Sequence, residues 1–88
     1  MRVTWTDEAK ERLSDQYVTC TLDEQRDLAR TVLRINALLG IRPDLLGESR
    51  EGWARVWFEG RLMVRFEIIN ADDEVVVTDV VLLRSGRL

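Results

Sequence analysis

The sequence contains no histidine, one cysteine, one proline and one lysine, and no apolar run long enough to span a bilayer. Without imidazole, a zinc or iron site would have to be built from carboxylates alone, and nothing is at hand to activate Cys20 as a nucleophile. A lone cysteine cannot close an internal disulfide either. Cys20 therefore reads as a small apolar residue on a helix face, and neither a metal nor a cofactor is expected. The missing apolar run argues against a membrane protein. The first residues, Met-Arg-Val-Thr-Trp-Thr-Asp-Glu, lack the apolar segment of a signal peptide, so a cytoplasmic location is the expectation.

What is present is the composition of an ordinary globular domain, 45% hydrophobic and 33% charged, and 88 residues suffice for one two-layer core but not for two. A single domain over 1–88 follows. The formal charge of −3 has the wrong sign for a protein that holds nucleic acid with its whole surface, so anion binding would need a local patch. The basic residues are almost all arginine, the exception being Lys10, which favours planar, bidentate contacts to phosphate or carboxylate.

Residues 2–5 place Val3 and Trp5 on one side and Arg2 and Thr4 on the other, the pattern of an edge strand. Thr6 is suited to cap a helix over 7–18, with Asp7 and Glu8 in the first turn and Ala9, Leu13, Tyr17 and Cys20 as its apolar stripe. Thr21-Leu-Asp-Glu24 matches a capping box. The helix it opens carries a stripe of Leu28, Val32, Ile35 and Leu39, which Ala29 and Leu33 broaden, while Asp23, Arg26, Asp27, Arg30 and Arg34 stay wet. Gly40 is expected to end it in the left-handed region, with Pro43 preventing continuation. The two helices form an antiparallel hairpin. Residues 41–52 are irregular, Leu45 and Leu46 plugging the underside of the sheet. The charged part of this segment is either simply solvated or delivers Arg50 to the sheet rim.

From Trp53 onward the pattern is a three-stranded meander. Ala54, Val56 and Phe58 are assigned to the core face and Trp53, Arg55 and Trp57 to the other, with a tight turn at Glu59-Gly60. Leu62, Val64, Phe66 and Ile68 continue the core face, and Arg61, Met63, Arg65 and Glu67 share the opposite face with Arg55 and Trp57. In the last strand, over 75–83, a bulge at Thr78 and Asp79 lets Val75, Val77, Val80 and then Leu82 turn inward. The fold class is α+β: an antiparallel sheet, made of the N-terminal strand and the three-stranded C-terminal meander, packed on a helical hairpin.

In this arrangement the sequence resembles the RelE/ParE superfamily of toxins from type II toxin–antitoxin modules. The resemblance rests on the opening Val3-x-Trp5 strand, two helices and a Pro43-x-x-x-Gly47 connection. It continues through Arg55-Val-Trp-Phe58, Leu62-Met-Val-Arg-Phe-Glu-Ile68, an acidic turn, and Val75-x-Val77 leading to Val80. It implies a cognate antitoxin as partner and either ribosome-associated mRNA cleavage or poisoning of DNA gyrase. For the cleavage branch it places Arg55, Arg65 and Arg84 as candidate catalytic residues, with Arg50 and Arg61 holding RNA or another anion. The position where the family carries an arginine before the apolar part of the second meander strand is Met63, with Arg61 and Arg65 two residues to either side. No histidine, tyrosine or lysine follows in the second half to carry a proton, which leaves Glu67 as the candidate base or an ion-pair partner. The alternative is a non-catalytic interaction module, in which Trp53, Trp57, Met63, Val76 and Glu67, flanked by arginines, bind an acidic peptide or a second copy of the chain.

Overall fold

Both helix starts are set by threonine. In the computed structural model, which describes residues 1–49 and 54–83, the Thr6 hydroxyl accepts from the Ala9 amide and opens α1, Asp7–Tyr17. At Thr21 the capping box is complete: its hydroxyl accepts from the Glu24 amide while the Glu24 carboxylate accepts from the Thr21 amide, satisfying two donors that the first turn of α2, Leu22–Ile41, would otherwise leave open. Gly40 does not act as the expected left-handed cap. It remains helical, its carbonyl accepting from the Met1 amino group at 2.8 Å, and the helix runs one residue further before Pro43 opens a short 3-10 turn, Pro43–Leu45.

Among the described residues the sheet is mixed and has five strands in the order β1-β5-β4-β3-β2: β1 Arg2–Trp5, β2 Glu48–Ser49, β3 Ala54–Glu59, β4 Leu62–Ile69 and β5 Glu74–Leu82. The meander β3-β4-β5 is antiparallel as expected, but β1 lies parallel to β5, Arg2 opposite Glu74 and Trp5 opposite Val77. The two-residue β2 pairs with β3 inside the segment read as irregular. The bulge at Thr78 is present. Arg65 pairs with Asp79 and Phe66 with Val77, so Thr78 has no opposite number and its hydroxyl donates to the Arg65 carbonyl.

β1 covers β5 only as far as Val77, and α1 takes over from there. The side-chain amide of Gln16 donates to the Val80 carbonyl and accepts from the Leu82 amide, so a helix residue satisfies the strand edge that β1 leaves bare. The core lies between the helices and one sheet face. Ala9, Leu28, Ile35 and Leu39 pack against Trp57, Leu62, Val64, Phe66, Val75, Val77 and Val80, each of the large side chains stabilising by about 1.5–3 kcal/mol on burial. A hydrogen bond from the Trp5 indole to Asn36 at 2.7 Å ties β1 to α2. Leu46 packs against this core, but Leu45 lies in solvent, so only half of the expected plug forms.

Strand β3 faces the opposite way from the expectation. Cross-strand partners share a face, and Trp57 stands opposite Val64 while Phe58 stands opposite Met63. Trp57 is thus the core residue, 9% exposed, and Phe58 is on the bare face, 58% exposed. Glu59 pairs with Leu62, leaving Gly60 and Arg61 as a two-residue connection with Gly60 at φ +57°, one residue later than the expected turn at Glu59-Gly60. A two-residue connection at either place sets odd-numbered β3 residues opposite even-numbered β4 residues, so with Leu62, Val64 and Phe66 inward it is Arg55, Trp57 and Glu59 that share their face.

Candidate functional site

The face of the sheet away from the helices carries three cross-strand rows. Phe58, Met63 and Val81 form one; Val56, Arg65 and Asp79 the next; Ala54, Glu67 and Val76 the third. At the β1 end the polar groups are settled within the chain. Thr4 donates to Glu74 at 2.6 Å, and Arg2 approaches the same carboxylate at 3.8 Å. In the centre they are not. Among the described residues, neither Arg65 nor Glu67 has an ion pair or a side-chain hydrogen bond, and Asp79, the cross-strand neighbour of Arg65, is engaged by Arg12 of α1 at 3.7 Å.

Among the described residues, the expected cluster members Arg55, Arg61 and Arg65 lie in three different places. Arg55 lies on the helix side of β3, opposite Phe66, and its guanidinium donates to the Leu46 carbonyl at 2.9 Å and the Gly47 carbonyl at 3.2 Å. It fastens the connection to the sheet. Gly47 is needed there, since its φ is +68° and a Cβ would lie 2.3 Å from the Val56 carbonyl oxygen and 2.9 Å from the Trp57 Cβ. Arg61, in the β3–β4 turn, reaches Glu24 of α2 at 4.0 Å, next to the 2.7 Å pair between Arg34 and Glu59. Of the residues assigned to one open face, Met63, Arg65 and Glu67 are there, whereas Arg55 and Trp57 are on the other side. Arg50, Trp53 and Arg84 lie outside the described residues.

Among the described residues, no group of three or more histidine, cysteine or carboxylate side chains is placed to hold a metal ion, and no helix is long and apolar enough to cross a membrane. Cys20 is half-buried, its thiol directed at the Gln16 carbonyl at 3.3 Å, as a small side chain in a helix connection. The Asp44 carboxyl is held below the ordinary aspartate range chiefly by its hydrogen bond from Arg42, which lies at 3.4 Å on an exposed turn.

A second surface was missed by the sequence reading. Leu13 and Tyr17 of α1 and Leu28, Ala29, Val32 and Leu33 of α2 line an open, almost wholly apolar groove of about 360 Å³ on the helical layer. Leu33 does not broaden the buried stripe. It is 70% exposed, one helical step off the Val32 direction, and Tyr17 is exposed beside it. The available signal was that the apolar arcs of both helices are wider than one sheet face can cover.

No family model and no curated protein matches the chain. Among solved structures, a chain of the chromosomal ParDE TA system from P. aeruginosa has the same fold with a TM-score of 0.62, at 17% identity, over 96% of this chain and 97% of that one. At that identity the likeness is one of fold, and it bears out the RelE/ParE-like architecture expected from the sequence.

Proposed function

We propose that this chain is the toxin of a type II toxin–antitoxin module, held inactive by an antitoxin segment, and that it acts by binding a target protein rather than by cutting RNA. The observation that supports the reading is the correspondence with a chain of a ParDE system over 96% of this chain and 97% of that one. The apolar groove of Leu13, Tyr17, Leu28, Ala29, Val32 and Leu33 supports it, because an amphipathic helix with anchors three and four residues apart would fill that groove and cover Leu33.

Of the two actions the resemblance implies, the placement of the arginines favours poisoning of DNA gyrase. Phosphodiester cleavage needs cationic groups converging on one phosphate together with a group that moves a proton. Among the described residues Arg55, Arg61 and Arg65 point to three different places, Arg55 being engaged with two backbone carbonyls. An arginine stays protonated and makes a poor base. Inducible expression in a bacterial host provides the test. Growth arrest, relief by the small acidic protein of the adjacent reading frame, loss of supercoiling activity by purified gyrase and intact ribosome-bound mRNA are the expected results. Normal growth with folded protein accumulating would overturn the toxin reading, and mRNA cleavage on ribosomes would overturn the choice between the two actions.

A further inference from the structure

The bare sheet face holds an uncommitted pair of opposite charges. On β4 the outward side chains are Met63, Arg65, Glu67 and Ile69 in succession, so Arg65 and Glu67 stand about 6.6 Å apart along the strand on one face, and no ion pair joins them. Both are half-buried, and among the described residues neither has an ion-pair partner. Apolar groups flank them, Val56 and Phe58 on β3 and Val76 and Val81 on β5, with Phe58 more than half exposed, while the one carboxylate opposite Arg65, Asp79, is taken up by Arg12 of α1. A half-buried charge has given up part of its hydration without gaining a counter-charge, so a partner that supplies one is favoured.

A partner of uniform charge cannot serve both residues. An acidic peptide or a nucleic acid would satisfy Arg65 and be repelled by Glu67, and a basic partner would do the reverse. A surface carrying the same doublet in reverse order serves both, and the simplest such surface is this one. We propose that the bare face is a self-association surface whose occupant is a second copy of the chain, turned about a two-fold axis crossing β4 at Phe66. That axis sets Arg65 of each copy over Glu67 of the other and Met63 over Ile69, so one doublet yields two ion pairs in an apolar surround. The inference is independent of the toxin reading, since it rests on the sheet face and not on the helical groove.

The test is sedimentation of the purified full chain over a range of concentrations, with Arg65→Glu and Glu67→Arg variants whose folding is checked by circular dichroism. The wild type is expected to form dimers, and each single variant to weaken self-association at least about tenfold by placing like charges together. The two variants mixed are expected to pair with each other, because one then presents two carboxylates at the doublet and the other two guanidinium groups. The double exchange, Arg65→Glu with Glu67→Arg in one chain, restores the homodimer. A wild type that stays monomeric at every concentration overturns the proposal. So does a dimer that both variants leave unchanged, or one lost on Leu33→Asp in the helical groove while the charge variants still associate.

Discussion

Strands β3, β4 and β5 each send alternate side chains to the helices and to solvent, and the two resulting faces differ in how their polar groups are settled. On the helix side nearly everything between the strands and helices is apolar, and the polar groups at its margin are closed within the chain: Arg34 on Glu59, the Trp5 indole on Asn36, Arg55 on the carbonyls of Leu46 and Gly47. On the bare side Phe58, Met63, Val76 and Val81 remain at the surface around Arg65 and Glu67, which have no ion pair among the described residues. A face kept for stability alone has no use for that combination. The proposed self-association would cover these apolar rows and pair these charges, whereas the polar groups on the helix side are already closed within the chain.

Swapping the neighbours at the top of β3 breaks the comparison most directly. Trp57→Ala should cost about 3–5 kcal/mol in urea denaturation and Phe58→Ala under about 0.5 kcal/mol, because Trp57 alone is in the core. The reverse order would restore the opposite facing of the strand. Gly47→Ala should follow at about 2–3 kcal/mol, the added methyl meeting the Val56 carbonyl in a backbone region that alanine avoids. A stability change near zero by thermal unfolding would show that the connection does not lie against β3.

Gln16→Ala tests whether the helix layer also guards an edge. About 1–2 kcal/mol should be lost with the bonds to Val80 and Leu82, and the amide of Leu82 should exchange faster with deuterium. The smallest effect is expected in the short turn after α2. Asp44 has a native pKa below its unfolded value, so its contribution is present above the unfolded pKa and is lost as the pH falls through the native one. Asp44→Asn should therefore lower stability slightly at neutral pH, the difference from wild type disappearing in acid denaturation profiles below the aspartate range.

Local signals were legible wherever a side chain acts on its own neighbourhood. Thr6 and Thr21 were readable as caps because a hydroxyl reaches an amide three residues on, and the bulge at Thr78 followed from Asp79 interrupting an apolar run. Gly40 misled because a glycine near a helix end suits a left-handed cap but is equally able to stay helical, and the helix stopped at the proline constraint instead. The arginine site was legible only as a list. Arg55 and Arg65 come from separate strands, and a two-residue turn sets odd positions opposite even ones, so Arg55 falls opposite Phe66 on the helix side while Arg65 falls opposite Val56 on the other face.

The sequence by itself determined the α+β class, where the helices start, and that Leu62, Val64, Phe66, Val75, Val77 and Val80 turn inward. Only the tertiary structure decided that β1 joins in parallel, that Trp57 rather than Phe58 enters the core, and that Arg55 holds a loop while Arg65 stays beside Glu67 on the bare face. The reason is one of range. Capping, proline and strand periodicity act over a few residues, but the facing of a strand is a binary choice set by register, and register is settled by the packing of Trp57, the Arg34–Glu59 pair and the turn at Gly60 together.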